Sequence, residues 1–254
     1  MEPVRRPFHG LFNIIRFNRH LYLLSILMIT ACFVFNYYTT SSLSIVGYFI
    51  IYLTIATTAI SLVISYYVYD LSGFYNLNWL DKVPVVLAGH SININAGFDE
   101  TSLILSRKYP RLSLNVYDFY DPLKHTEISI KRARKVYPPF PGTVQIKSDL
   151  IPLEDYCADN IFVIFSAHEI RDEAERIIFF SELRRVLKPN GKIILVEHLR
   201  DVSNFLAYNI GFFHFISRST WHKTFDAASL EIFAEQKINP FVRNFILEKN
   251  GVES

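Results

Sequence analysis

The chain has 254 residues, a length that allows one or two domains, and half of them are hydrophobic. Its formal net charge of +2 is too small for the electrostatic footprint of a nucleic-acid-binding protein, so nucleic acid is not an expected partner. The two cysteines, Cys32 and Cys157, lie far apart in the sequence and predict no disulfide framework.

Residues 1–20 form a basic, amphipathic N-terminal segment. Arginines interleave with large apolar side chains, a pattern typical of a helix that lies on an anionic membrane surface. The arginines are Arg5, Arg6, Arg16 and Arg19, and the apolar residues are Phe8, Leu11, Phe12, Ile14, Ile15 and Phe17. The alternative interpretation is a flexible basic flank.

Residues 21–69 contain no Asp, Glu, Lys, Arg or His. One membrane span needs ~20 apolar residues, so this run is long enough for two. Polar residues 39–42 interrupt it, which predicts a transmembrane hairpin with spans near residues 21–38 and 44–69. The arginines before the first span place the N-terminus in the cytoplasm by the positive-inside rule. We therefore expect a multi-pass protein of the cell's inner (cytoplasmic) membrane, with the bilayer as a partner and the domain that follows in the cytoplasm.

Residues 29–32 offer a different interpretation. Ile-Thr-Ala-Cys after a basic start and an apolar run resembles a bacterial lipoprotein cleavage site, which would make Cys32 a lipidated N-terminus and export the rest. The chain continues with Phe33, Val34 and Phe35 and then a second apolar run, where an exported lipoprotein usually has a polar tether. This continuation favours the uncleaved hairpin.

Residues 70–80 mix aromatic and polar side chains, with Trp79 near the end, and predict a juxtamembrane linker at the level of the lipid headgroups. The main domain is then expected to span residues 81–254.

The stretch from Ser91 to Asp118 is predicted to fold as strand, tight loop, helix and strand. Ile92 and Ile94 alternate as in a strand, and the small or turn-prone residues Asn95, Ala96 and Gly97 allow the backbone to approach a ligand closely. Asp99 is expected to open a helix that ends before Pro110. The second strand ends at Asp118 and Phe119, about 20 residues after the loop, where open α/β sheets place a carboxylate on a ribose.

The loop departs from the Gly-x-Gly-x-x-Gly fingerprint in a way that selects among cofactors. Asn95 stands at an earlier glycine position and tolerates the turn, whereas Asp99 stands at a later one. A carboxylate at the start of a helix would repel a pyrophosphate bound there. The sequence therefore favours a cofactor with an adenine-ribose half and a positively charged end, such as S-adenosylmethionine.

The rest of the domain alternates strands and helices. The elements are a basic helix containing Lys131, Arg132, Arg134 and Lys135, strands near Val144–Ile146, Ile161–Ser166 and Lys192–Glu197, a helix near Glu173–Leu187 that stops at Lys188–Gly191, and a closing hairpin of Leu230–Ile238 and Phe245–Lys249. The basic helix is interpreted as a solvated or membrane-facing surface. This order predicts an α/β fold with a mostly parallel sheet and a C-terminal antiparallel hairpin.

These motifs resemble those of the class I S-adenosylmethionine-dependent methyltransferases, over roughly residues 81–254. The resemblance rests on the loop Ile94–Asp99 with Phe98, on Asp118, on Asp149-Leu150, and on Glu182–Lys192, which looks like the family's Arg-Val-Leu-Lys-Pro-Gly-Gly helix stop. It implies a Rossmann-like seven-stranded sheet, S-adenosylmethionine as cofactor, and contact of Asp149 and Leu150 with the adenine. A non-catalytic membrane scaffold that kept the fold is the alternative.

Histidines near the expected carboxyl edge of the sheet are the candidates for catalysis. Ser166, Ala167 and His168 follow one strand, and the first two are assigned to the cofactor site. His168, His198 and His214 are candidates for substrate contact or for a general base. Histidines packed against aromatic residues are the alternative. No metal is expected, because the histidines lack the close spacing of a zinc site.

The segment from Asn204 to Arg218 is unusually apolar. It carries Phe205, Leu206, Tyr208, Ile210, Phe212, Phe213, Phe215 and Ile216. Because it follows the strand ending at Glu197, we expect it to cover the entrance for a lipid-soluble acceptor such as a quinone precursor, a phospholipid or an aromatic or polyene lipid. An ordinary buried core helix is the alternative.

Overall fold

A computed structural model of the protein describes residues 5–39, 43–83, 87–125 and 127–251. The predicted polar interruption at Thr40, Ser41 and Ser42 lies outside the described residues, and so does Thr126 at the start of the basic segment.

Three helices begin the chain: α1 (His9–Phe17), α2 (Arg19–Tyr38) and α3 (Leu43–Tyr66). α2 packs against α3, and both are long and apolar enough to cross a membrane, with mean hydropathies of 1.7 and 1.9. Every side chain of α2 is partly or fully exposed in the isolated chain. α3 continues into a π-helical turn, Tyr67–Leu71, and a short 3₁₀ turn, Phe74–Asn76.

The main domain contains a seven-stranded mixed sheet, as the sequence predicted. The strands are β1 (Gly89–Asn95), β2 (Leu112–Asp118), β3 (Val144–Gln145), β4 (Ala158–Ile164), β5 (Leu187–His198), β6 (Leu230–Asn239) and β7 (Val242–Lys249). Their order is β3-β2-β1-β4-β5-β7-β6. Neighbours from β3 to β5 are parallel, and β7 is antiparallel to both β5 and β6. The carboxyl ends of five parallel strands therefore meet at one edge of the sheet.

Helices and hydrophobic clusters lie on both sides of this sheet. The helices are α4 (Ser102–Lys108), α5 (Ile128–Arg134), α6 (Glu173–Val186), α7 (Val202–Tyr208) and α8 (Arg218–Ala227). One cluster joins the sheet to α6 and α8 through Phe180, Trp221 and Phe225. The other includes Phe162 and Ile194 of the central strands.

The second cluster corrects the predicted linker at residues 70–80. Phe74, Leu77 and Leu80 are fully buried in it, together with Val68 from the end of α3. These residues cover the sheet face that α6 and α8 leave open, so they belong to the domain core. The domain therefore begins before residue 81, and α3 runs into it without a flexible connection.

Two predicted helix boundaries also differ. α6 ends at Val186, and Lys188–Gly191 already lie in β5, because Leu187 is extended (φ −68°, ψ 136°) and Pro189 prevents the helix from continuing. The pairing of β4 with β5 shifts register there, from Ala158 opposite Leu187 to Asn160 opposite Lys192. The apolar segment 204–218 is not one helix: α7 ends at Tyr208, the next residue Asn209 has φ +51°, and a 3₁₀ segment, Asn209–His214, follows.

Candidate functional site

Residues predicted for the site gather at the carboxyl edge of the parallel strands. β1 ends at Asn95, β2 at Asp118, β4 at Ile164 and β5 at His198. Open α/β sheets bind ligands at this edge, at the point where the strand order reverses. Here that point lies between β1 and β4, because the order runs outward from β1 to β3 on one side and from β4 to β5 on the other.

The predicted cofactor loop after β1 is shaped by its asparagine. The Asn95 side chain donates to Tyr117 O at 3.1 Å and accepts from Gly97 N at 2.9 Å, so it closes the turn that an earlier glycine would otherwise make. Gly97 has φ +91°, and a Cβ there would lie 2.6 Å from Arg134 Nη1. Both constraints require glycine at this position. Ala96 is buried beneath the loop.

Asp99 does not open the helix as predicted. α4 begins three residues later, at Ser102, and Asp99 Oδ1 accepts from Thr101 N and Ser102 N at 2.9 Å each. The carboxylate therefore caps its own helix while remaining in the wall of a cavity of about 140 Å³ that Asn95, Gly97 and Asp118 also line.

Asp118 is buried at this cavity and is bonded by a residue that the sequence did not single out. Its Oδ1 accepts from Tyr120 N at 2.8 Å, and its Oδ2 accepts from Arg134 Nη1 at 2.5 Å. The Arg134 guanidinium lies 4.4 Å from the centre of the Tyr120 ring. Arg134 thus stands between the 140 Å³ cavity and a groove of about 710 Å³ lined by Phe119, Tyr120 and Asp149.

Of the other residues predicted to bind the cofactor, some line the groove and others are buried in the core. Asp149 lines the larger groove, and the side chain of its neighbour Leu150 is 59% exposed. Phe119 is buried against Phe179 at 5.2 Å. Ser166 Oγ donates to Ile94 O at 2.9 Å and ties β4 to β1, and Ala167 is fully buried.

Helix α1 covers the cofactor loop, which the sequence did not predict. Phe98 packs between Phe17 of α1, at 5.6 Å between ring centres, and Tyr137, at 5.2 Å. Arg5 forms an ion pair with Glu100 at 2.6 Å, and Tyr137 donates to Asn13 at 2.8 Å. Phe12 and Ile15 of α1, and Phe8 just before it, are exposed.

Two of the three candidate histidines, His168 and His214, come together near the carboxyl ends of β4 and β5. His168 Nδ1 lies 2.6 Å from Glu197 Oε2, and its backbone N–H donates to Glu197 Oε1 at 3.2 Å. Glu169 Oε1 is 3.4 Å from His168 Nε2 and 3.4 Å from His214 Nε2. We call these four side chains the histidine-carboxylate cluster. Glu169 and the role of Glu197 as partner of His168 were not evident from sequence spacing.

Burial and charge act against each other in this cluster. Burial disfavours the protonated form of His168, but Glu197 and Glu169 outweigh it and raise the pKa of His168 to about 10. Burial likewise opposes ionisation of Glu169, but the neighbouring His168 and His214 hold its pKa well below the usual range. Burial lowers the pKa of His214. The cluster therefore keeps a carboxylate and a cation side by side in a site largely closed to water.

His198 is not placed to act as the predicted general base. Its Nδ1 lies 2.9 Å from Phe241 O, which can only accept, so Nδ1 carries the proton and Nε2 accepts from Tyr69 Oη at 2.9 Å. The ring is stacked between Phe165 and Phe215, at 4.9 and 5.0 Å. Both ring nitrogens are thus used, and His198 positions the end of α3 against the sheet.

Replacing His198 by glutamine is expected to flatten the pH dependence of stability. Burial lowers the pKa of His198 to about 4, against ~6.5 in an unfolded chain, although its bond to Phe241 O favours the charged form. Unfolding then takes up a proton between these values, so this contribution is present above ~pH 6.5 and is lost as the pH falls to about 4, at ~1.4 kcal/mol per pH unit. Denaturant unfolding in detergent measures it, and equal slopes for both proteins would contradict the assignment.

Comparison with known proteins was made at the level of families and folds. The family model described as a methyltransferase domain matches residues 122–195, from the loop after β2 into β5, a range that includes His168 and Glu169 but not the cofactor loop. A search of curated proteins finds no match to the chain.

Solved structures that are similar to the chain include two of methyltransferases. A SAM-dependent methyltransferase from Aquifex aeolicus aligns with a TM-score of 0.52 and 15% identity, over 75% of this chain and 97% of that one. A protein from Pyrococcus horikoshii aligns with a TM-score of 0.52 and 15% identity, over 70% and 89%. Human N-acetylserotonin methyltransferase, solved with SAM, aligns with a TM-score of 0.51 and 14% identity, over 76% and 55%.

At these identities the structural similarity establishes the fold alone. The family match adds a similarity in sequence over the central segment of the domain. The predicted resemblance is thereby confirmed: the chain has the fold of the class I S-adenosylmethionine-dependent methyltransferases, and its residues 122–195 match the methyltransferase-domain family model.

Proposed function

We propose that the protein is a membrane-anchored S-adenosylmethionine-dependent methyltransferase that acts from the cytoplasmic side on a lipid-soluble acceptor, such as a quinone precursor, a phospholipid or an aromatic or polyene lipid. One observation carries the proposal: α3, an apolar helix of spanning length, ends on the carboxyl edge of the sheet, where Tyr69 bonds His198. The helix that would cross the bilayer and the edge that would bind the acceptor are therefore joined directly.

The groove supports the cofactor part of the proposal. Gly97 and Asn95 give the close backbone approach, Asp118 offers a carboxylate for ribose hydroxyls, and Asp149 lies in the adjoining groove. S-adenosylmethionine, when bound, supplies the methyl group. Arg134 must first leave Asp118, which its long side chain can do because it is 35% exposed and lies at the end of α5.

The segment 202–214, which we call the acceptor cover, supports the lipid part. Leu206 is 62% exposed and Ile210 is 77% exposed, and Val202, Phe205 and Phe213 are also exposed. An ordinary core helix would bury these side chains, so that alternative does not fit the cover. A contiguous exposed apolar surface marks an interaction site in a soluble domain. Because α3 packs against α7, this surface adjoins the expected membrane.

A non-catalytic membrane scaffold is the second candidate, and one observation favours it. The ion pair of Arg134 with Asp118 fills the position that a ribose would need. A scaffold would keep this pair permanently, whereas an enzyme would exchange it for the cofactor.

Serine at both Leu206 and Phe213 is expected to lower methylation of a lipid acceptor by roughly 30-fold, because each change removes apolar contact area worth about 1 kcal/mol. Mass spectrometry of lipid extracts from cells with and without the protein identifies the missing methyl, and the variants are then compared on that lipid. Phe233→Ser is the control, since Phe233 is also exposed, at 47%, but lies on the edge strand β6. A methyl found on a water-soluble metabolite, or full activity of the double variant, would reject the lipid acceptor.

A further inference from the structure

We propose that the histidine-carboxylate cluster binds a divalent transition-metal ion through His168, Glu169 and His214. Among the residues that the structure describes, one ligand atom from each of these three lies within 4.8 Å of the other two. Two imidazoles and one carboxylate form a donor set suited to zinc or a related first-row ion, with a fourth position left open.

The distances inside the cluster fit a metal better than direct hydrogen bonds. Glu169 Oε1 is 3.4 Å from both His168 Nε2 and His214 Nε2, longer than a good N–H···O bond. Metal–ligand bonds of ~2.1 Å give a tetrahedron with edges of about 3.4 Å. Two edges therefore already have the required length, and the third, between the two histidines, is at most 4.8 Å and would have to shorten by up to about 1.4 Å.

Outer partners hold the ligands in the orientation that metal binding needs. Glu197, which is 1% exposed, accepts from His168 Nδ1 and leaves Nε2 facing Glu169. Metal-binding histidines usually have such a carboxylate on the far nitrogen. His214 Nδ1 lies 3.3 Å from Glu127 Oε1 but closer to Arg171 Nη2, so Glu127 can take the same role once Arg171 has moved.

The electrostatics of the cluster also favour a cation. Glu169 and Glu197 are both buried and need compensating positive charge, part of which protonated His168 already supplies, and an ion bound at Nε2 of His168 would take the place of the proton there. Arg171 Nη2 donates to His214 Nδ1 and lies 3.1 Å from His214 Nε2, so this guanidinium must move away before an ion can bind. Arg171 is exposed, and its side chain can yield this position to an ion.

Metal binding itself does not depend on the proposed function. A role for the ion does rest on it: at the carboxyl edge, an open coordination position would hold an oxygen of the acceptor and fix its orientation. Titrating metal into the protein without cofactor keeps the two questions separate, because failure of methyl transfer would leave the metal measurement intact.

The test uses the full chain in detergent, carrying a tag without histidine, stripped with chelator and then titrated with Co²⁺. We expect one equivalent with the visible absorption of a tetrahedral site, displaced by Zn²⁺. His214→Ala and Glu169→Gln should weaken binding by at least ~100-fold, and Glu197→Gln by about 10- to 100-fold.

His90→Gln is the control, because His90 lies near the start of β1, at the opposite edge of the sheet, and should leave binding unchanged. Thermal unfolding establishes that each variant is folded. Absence of a tetrahedral Co²⁺ spectrum in the wild type would overturn the proposal. So would wild-type affinity in folded His214→Ala and Glu169→Gln proteins.

Discussion

Asp118→Ala is expected to weaken binding of S-adenosylmethionine and of its demethylated product by about 10- to 100-fold. Hydrogen bonds to a charged group contribute about 1.5–3 kcal/mol, and the ribose hydroxyls would lose this carboxylate. Isothermal calorimetry on the purified full chain measures the loss directly. Unchanged affinity would show that Asp118 does not hold the ribose.

Arg134→Gln should change affinity in the opposite direction. The cofactor must displace Arg134 from Asp118, so removing the guanidinium removes a competitor, and we expect affinity to rise by up to roughly tenfold. Lys131→Gln is the matched control, because it removes the same charge from α5 at an exposed position. If folded wild-type protein and Arg134→Gln both give no heat with either ligand, the scaffold is the correct interpretation.

Local patterns were enough to predict the strands and the site edge, but not the partners of the side chains. The alternating run ending at Asp118 and the loop before it lie where the sequence predicted. Arg134 comes from a basic helix whose charges suggested only a solvated surface. Its contact with Asp118 depends on how α5 crosses the end of β2, which no local pattern encodes.

Asp99 shows how one local rule can displace another. Its position in a degenerate glycine loop suggested contact with a cationic cofactor, yet aspartate also stabilises the start of a helix by accepting from free N–H groups. The second role is realised within three residues, at 2.9 Å from Thr101 N and Ser102 N. The short-range bond needs no other part of the fold, so it forms regardless of ligand.

The histidines illustrate the same division. Successive side chains of a strand point to opposite faces, so Glu197 and His198 could not both enter one site. Glu197 joins His168, and His198 turns to Tyr69 on the other face. The sequence could not decide whether Glu197 or His198 points toward the cluster. His168 and His214 lie in 3₁₀ turns, and the direction of such turns depends on tertiary packing.

The second large expected effect concerns the membrane hairpin. It is an effect of substitutions on membrane insertion of the protein, not on ligand binding. Leu27 lies in the middle of α2 and is 66% exposed, and Leu123 lies in the loop after β2 and is 88% exposed. In a water-soluble protein, arginine would be tolerated at both positions. In a membrane span, arginine at the helix centre costs about 2.5–3.5 kcal/mol.

We therefore expect Leu27→Arg to shift the protein out of the membrane by roughly 100-fold while Leu123→Arg stays integrated. Alkaline extraction of membranes measures integration, and protease protection in sealed vesicles locates the termini, both of which should be cytoplasmic. Equal behaviour of the two variants would reject a spanning α2. An N-terminus at Cys32, or a domain on the outer side, would instead support the cleaved lipoprotein. Either result would also place the domain outside the compartment where the proposed cofactor is made. The positive-inside orientation and the domain's access to S-adenosylmethionine both depend on the same uncleaved hairpin.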